Sequence, residues 1–461
     1  QATYQPQVTS SYQPQGGRRE EVYEPQSDFS GVKGASQPKQ FQDGFWAVLF
    51  GVHLVVMMGI MIALSASSES SGYNYSGVVW CVSVCGLAAV GLSSMALGFM
   101  MQFATELVKM ALIFSVGCSL AMGIMGAIAG QMMMCIIGFA SFAVGCCYAY
   151  AVWGRIPFAA ANLRTALAAV RTNLGLVAVA YLFLAIAFGW SLWWSVTAGA
   201  TISTVGSAAL FFFLLSYYWV HQVLQNTVHV TTAGVIGTWW FVPTEASTCW
   251  SSALSDSFMR ATTYSFGSIC FGSFLVAVVQ ALRAMHRIAH DNDDCSFIIC
   301  LIDCILGCIE SIIEYLNKWA YVYVGLYGYS YLDAGRNVIT LFQNKGWSTL
   351  ITDDLADNVL FMVSVSIGLS SGLVGFIMGK IDQNLFAGMG YDDAGMVGFV
   401  LGFLVGYLFA SIMMSLVASA VNTVIVCFAE APAEFQANHP ELSNEMRMAW
   451  RQAWPMECGN I

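Results

Sequence analysis

Charge is scarce in this sequence. Asp, Glu, Lys and Arg make up 10% of its 461 residues, against roughly a quarter in soluble globular domains. Between Phe45 and Val152 only Glu69, Glu106 and Lys109 are charged. A chain that is 57% hydrophobic has too little polar surface to face water throughout. That excludes a soluble fold and leaves lipid as the solvent for much of it. Two-residue alternation is also missing from the apolar runs, which excludes a membrane β-barrel. GxSxG, HExxH and a phosphate-cradling glycine loop beside a lysine are absent. His and acidic residues are too scattered to form an acid–base or metal set, so neither an enzyme class nor a cofactor is indicated. A net charge of −10 without any recognisable motif argues against nucleic-acid binding. The 14 cysteines form no disulfide framework. Cys81, Cys85, Cys118, Cys135, Cys146, Cys147 and Cys270 fall inside apolar runs, where Cys acts as a small hydrophobe.

Long apolar runs are what the chain does have. A bilayer core needs about 20 such residues per helix, and only helices and closed barrels satisfy their backbone there. Runs at 45–65, 77–101, 107–128, 131–151, 174–192, 198–220, 223–241, 262–284, 358–379 and 395–427 predict an all-α, polytopic transmembrane bundle of about ten spans. The seventh run is the least apolar, and the charge distribution requires it. With ten crossings, every Lys and Arg except Arg260 and Lys380 falls on the inner side, as the positive-inside rule demands, and both termini are cytoplasmic. Residues 1–44, with YQPQ at 4–7 and 12–15, predict a flexible tail. Residues 45–428 make the transmembrane domain and 429–461 a second cytoplasmic tail. The chain opens on Gln1 and not Met, so the true N-terminus is expected to be trimmed or missing, and the polar first 40 residues hold no recognisable cleavable signal. Within an insert at 285–357, Ile298, Leu301, Ile302, Ile305, Ile309, Ile312, Ile313 and Leu316 recur at helical spacing, with Asp303, Glu310, Glu314 and Asn317 opposite. This predicts a cytoplasmic amphipathic helix on the membrane surface or against the bundle. The aromatic stretch 320–342 after it reads as interfacial or re-entrant.

Several blocks carry a family resemblance: RIPF at 155–158, NTVHVTTAGVIGTWWF at 226–241, TYSFGSICFGSFLVAVVQ at 263–280, NKWAYVYVGLYGYSYLDAGRN at 317–337 and CFAE at 427–430. With the order of spans, the chain resembles the choline transporter-like proteins, most closely their fungal and microbial branch. The resemblance implies a ten-span plasma-membrane transporter with cytoplasmic termini, moving choline or a related amine. Animal members carry a large glycosylated loop between the first two spans. Here that loop is only about 66–76, with Asn74-Tyr75-Ser76 as a candidate glycosylation triplet close to the membrane.

A quaternary ammonium has no N–H to donate, so its site relies on aromatic faces and negative charge. Trp190, Trp193, Trp194, Tyr217, Tyr218, Trp219, Trp239 and Trp240 supply rings around spans five to seven, although rings at span ends also serve as interfacial anchors. Gln222, Asn226 and His229 share one helical face, followed by Thr232. Intramembrane polar groups mark pathways, and the same face also reads as a hydrogen-bonded helix–helix seam. Candidate pathway residues are therefore Gln222, Asn226, His229, Thr232, Tyr217, Tyr218, Trp239 and Trp240. Glu106 is expected to pair with Lys109, His53 to pack, and Gly398, Gly402 and Gly406 to admit a close helix neighbour. Cys300, Cys304 and Cys308 form a stripe open to acylation or simple packing; zinc would need a fourth ligand. The expected function is alternating-access transport of a choline-like cation, with membrane lipids as the surroundings and no nucleic-acid partner. The alternative is a non-transporting scaffold that recruits partners through its tails and cytoplasmic helix.

Overall fold

Apolar periodicity this long yields helices. The computed structural model of the chain describes residues 37, 39–67, 76–201, 207–289, 297–345, 355–386, 393–455 and 458. Among these every regular element is helical: α1 (Gly44–Ser67), α2 (Ser76–Ile128), α3 (Met132–Val152), α4 (Ile156–Thr172), α5 (Gly175–Thr201), α6 (Ser207–Phe241), α7 (Ser252–Thr262), α8 (Phe266–Ala289), α9 (Phe297–Tyr327), α10 (Tyr331–Lys345), α11 (Leu355–Ile381), α12 (Ala394–Glu430), α13 (Pro432–Asn438) and α14 (Pro440–Ala453). Seven helices among the described residues are long and apolar enough to cross a membrane. Their outward faces are those of lipid-solvated helices: Val48, Val52, Val55 and Val56 of α1 are all exposed.

The breaks fall where the backbone explains them. Phe103 leaves helical geometry at φ −121°, ψ 28° and divides α2 into two arms, matching the boundary expected between 101 and 107. Glu106 and Lys109 pair just after it at 3.0 Å. Gly130 turns α2 into α3 at φ +68°, and Gly328 turns α9 into α10 at φ +69°, a region glycine enters without steric cost. Asp393 caps α12 by accepting from Gly395 N at 2.8 Å and Met396 N at 3.3 Å. Lys380 lies beside Asp393 at 3.0 Å and holds its carboxyl below the usual carboxylate range.

Two regions differ from expectation. Spans were expected at 198–220 and 223–241, but α6 is one unbroken helix of 35 residues. It is about 52 Å long at 1.5 Å per residue, and an unbroken helix crosses a bilayer once. The helix expected at 297–316 continues to Tyr327 and packs against α6, α8 and α12. Its Arg283–Asp303 and Arg283–Glu310 pairs at 2.9 and 2.8 Å turn the polar side toward α8, while Ile305, Ile309 and Ile312 are exposed.

One end of the bundle is tied together by side chains that satisfy helix-end backbone groups. Gln37 donates to Gly325 O at 3.0 Å and also to Leu326 O. Asp43 accepts from Ser268 Oγ at 2.6 Å and Tyr331 N at 2.9 Å. The last residues of the expected N-tail are thus fixed to α8, α9 and α10. At the same end Tyr323 and Tyr327 of α9 both donate to Glu430 of α12. Trp240 donates to Ala431 O at 3.0 Å, and Trp450 of α14 to Asn162 of α4 at 2.8 Å.

The expected glycine stripe is a contact surface. A Cβ on Gly398 would collide with the carbonyl of Gly375 on α11, and one on Gly375 with that of Gly398. Gly398→Val should therefore destabilise the protein by about 1–3 kcal/mol through overpacking. Gly51→Val, at a position with nothing within 4 Å of the added Cβ, should be neutral. Thermal unfolding of the two purified variants checks this; equal midpoints would refute it.

Candidate functional site

Polar side chains from four helices meet in one space. α6 contributes Gln222, Gln225, Asn226 and His229; α9 contributes Glu314, Asn317 and Lys318; α11 contributes Asp357; α12 contributes Ser415, Ser419 and Asn422. They line a cavity of about 340 Å³. A second cavity of about 220 Å³ shares Gln225 and Ser415 with it and extends along α6 to His221 and Leu184 of α5. The helical spacing of α6 aims these residues at one side: Gln222, Asn226 and His229 succeed one another by four and three positions.

The wall is joined by hydrogen bonds. Asn226 Nδ2 donates to Ser273 Oγ of α8 at 3.0 Å and to Gln222 Oε1 at 3.4 Å. Gln222 Nε2 donates to Gln280 Oε1 at 3.4 Å, and Gln280 Nε2 to Glu314 Oε1 at 3.4 Å. Asn317 donates to Gly272 O at 3.1 Å and accepts from Tyr331 OH. Lys318 meets Asp357 at 3.5 Å. His229 Nε2 is buried and reaches no hydrogen-bond partner among the described residues. No Phe, Tyr or Trp lines the 340 Å³ cavity.

Of the residues proposed from sequence, Gln222, Asn226 and His229 lie together on this wall. Thr232 is buried and bonds back to Val228 O at 2.8 Å. Tyr217 packs at a tilt against His221, ring centroids 4.5 Å apart, and Tyr218 meets Tyr217 edge-on at 5.4 Å. Trp239 lies on His439 and Trp240 on Phe435, both at 3.9 Å; the two tryptophans hold the C-terminal segment and do not face the cavity. His53 packs, bonded to Ser216 Oγ at 3.0 Å. Cys304 and Cys308 are exposed on α9. Asn74 and the side chain of Cys300 lie outside the described residues, and no metal-binding group of His, Cys, Asp or Glu is present among those described.

The family model for plasma-membrane choline transporters matches residues 134–433, from α3 into α13 and across the whole cavity. The chain belongs to the choline transporter-like family. A CTL-like protein of Dictyostelium discoideum is 27% identical over 76% of this chain and 67% of its own length. Protein PNS1 of Debaryomyces hansenii is 32% identical over 44% of this chain, and Protein PNS1 of Mycosarcoma maydis 29% identical over 65%. The aligned part spans only 40% and 60% of those two fungal proteins.

Sequence reasoning about this choline transporter-like chain missed the walls supplied by α9, α11 and α12. Glu314 and Asn317 were visible as the polar side of an amphipathic helix, a pattern that a solvated helix shares. Ser415, Ser419 and Asn422 recur at helical spacing within the apolar twelfth helix, and that stripe was the signal available.

Outside the membrane spans, the C-terminal segment has its own pH response. His439 Nε2 donates to Trp239 O at 3.1 Å, and burial beneath Trp239 lowers its pKa below the ordinary 6.5. A depressed imidazole favours the neutral ring in the fold, so this stability is present above about pH 6.5 and lost as pH falls below it. Limited proteolysis beyond residue 439 should accelerate between pH 7 and 5 in the wild type. His439→Phe, which keeps a ring on Trp239 but takes no proton, should flatten that response. A wild-type profile already flat would refute it.

Proposed function

We propose that this protein carries choline or a related small organic cation across the plasma membrane by alternating access, through the cavity between α6, α9, α11 and α12. One observation carries the reading. In a bundle whose surface is apolar, hydrogen-bonding side chains from four helices converge on one space, and intramembrane polar groups are costly unless they line a route or find partners. His229 lines the same space, and its Nε2 is buried without a hydrogen-bond partner among the described residues. Membership of a family described by plasma-membrane choline transport supports the substrate class and the compartment.

Ten crossings follow if α1, both arms of α2, α3, α5, α6, α8, α9, α11 and α12 each span the bilayer. In this assignment α6 counts once and α9 replaces the cytoplasmic amphipathic helix. The end of the bundle that gathers α4, α7, α10, α13 and α14 carries Arg155, Arg164, Arg171, Arg260, Arg336, Lys345, Arg447 and Arg451. The opposite end carries Arg283, Arg287 and Lys380, with Asp382 and Asp393. This asymmetry supports cytoplasmic termini. Arg260 moves inside, and Arg283 and Arg287 outside, because the single crossing of α6 reverses the chain once less before α7.

A negative interior of 100 mV contributes about 2.3 kcal/mol per unit charge, roughly fifty-fold accumulation of a monovalent cation without a coupling ion. Purified protein in liposomes held at that potential should take up labelled choline above empty vesicles. Asn226→Leu and His229→Leu should each reduce the uptake at least ten-fold. Wild-type vesicles no better than empty ones would sink the reading. Deleting residues 1–36, which leaves Gln37 and Asp43 in their contacts, should preserve uptake; if that deletion abolished it, the scaffold reading would gain.

A further inference from the structure

The larger cavity is rich in groups that hydrogen-bond and poor in groups that hold a net charge. Its three ionisable wall residues other than His229 are Glu314, Lys318 and Asp357. Lys318 and Asp357 neutralise one another at 3.5 Å. Glu310, one turn before Glu314, is engaged by Arg283 at 2.8 Å. Glu314 sits between these two pairs and forms no ion pair with a Lys or Arg among the described residues. Its carboxylate accepts from an amide, Gln280 Nε2, at 3.4 Å.

That amide is the last of a row. Asn226 donates to Gln222, Gln222 to Gln280, and Gln280 to Glu314. Each link of the row donates toward the carboxylate, so successive dipoles align and reinforce one another, while Asn226 is also anchored on Ser273 Oγ at 3.0 Å. The row runs along the same wall of α6 that bears the transport residues and fixes where the Glu314 carboxylate stands. Glu314 is exposed where it borders the cavity, so a cation can come into contact with the carboxylate, the short distance at which Coulomb attraction is strongest. No Phe, Tyr or Trp face lines this cavity to share the task.

We infer that Glu314 is the specificity-determining residue of this cavity, the fixed negative charge that makes the site select an organic cation over a neutral molecule of the same shape. The inference rests on the transport route proposed above. Asn226, Gln222 and Gln280 are positioning residues that act through Glu314.

The test uses the full chain, purified and also reconstituted in liposomes with a negative interior. Two probes are compared: choline, and 3,3-dimethyl-1-butanol, the uncharged carbon analogue of choline. Choline should stabilise the wild type against thermal unfolding, and the neutral analogue should not. In Glu314→Gln, an isostere that keeps the partner of Gln280, the choline stabilisation should vanish and the KM for choline uptake should rise at least ten-fold. Glu314→Asp should restore most of both, which separates loss of charge from loss of fold. Equal KM and equal stabilisation in wild type and Glu314→Gln would overturn the assignment and leave transport standing. Choline stabilisation lost in Glu314→Gln, without any wild-type uptake, would uphold the assignment and overturn transport. A wild type that neither takes up choline nor is stabilised by it would overturn both.

Discussion

Hydrocarbon offers no partner to an N–H, a hydroxyl or a carboxylate, and the arrangement of this bundle follows from that constraint. Thr227, Thr231, Thr232 and Thr238 on α6 each return their hydroxyl to the carbonyl four residues earlier, at 2.7 to 2.9 Å. These groups are satisfied within their own helix and need nothing from a neighbour. Asn226, Gln222 and Gln280 cannot be satisfied that way, because an amide has more donors and acceptors than one backbone carbonyl can meet. They require partners on other helices, and their mutual search draws α6, α8 and α9 together. The polar cavity is the space that remains where such residues outnumber their partners.

The same constraint explains how the two ends of the bundle differ. At the end where α1 begins and α12 finishes, helix ends are held by long-range contacts: Gln37 and Asp43 to α8, α9 and α10, Glu430 to two tyrosines of α9, Trp240 to the end of α12. Ion pairs serve the α8–α9 side, where Arg283 bridges Asp303 and Glu310 and Arg287 reaches Asp303 at 3.4 Å. Between α11 and α12 one ion pair, Lys380 with Asp393, holds one end; along the rest, backbone approaches backbone at Gly375 and Gly398, and dispersion does the holding. α6, α9 and α12, which wall the cavity, are therefore fastened to each other at one end by specific polar contacts. On the alternating-access proposal, opening the cavity at that end parts some of them.

Much of this could be read from the sequence residue by residue. Helix existence followed from run length. The packed His53 and the glycine stripe were anticipated from residue type and spacing, although their partners Ser216 and Gly375 lie on distant stretches of chain. The α2 arms and the Glu106–Lys109 pair were anticipated because each depends on neighbours a few positions away. The Gln222–Asn226–His229 face was legible for the same reason. Its meaning was not, since a pathway and a hydrogen-bonded seam have the same one-helix pattern. The division of 198–241 into two spans failed for a physical cause: polar residues at 221–229 look like a break when a helix is assumed to face lipid, and they are continuous helix when other helices cover them.

The sequence by itself determined the solvent, the helical class and the family, since hydropathy, run length and the blocks at 226–241 and 263–280 are properties of the chain taken in order. Tertiary structure alone decided which polar residues meet. Whether the charged side of α9 faces water or the bundle depends on the carboxylates of Asp303 and Glu310 finding Arg283 of α8, a contact between helices that no periodicity within either one encodes. The rings at 217–219 and 239–240 likewise had two readings until packing set them against His221, Cys270, His439 and Phe435. Burial by a neighbour is a pairwise property, and a single strand of letters carries only one member of each pair at a time.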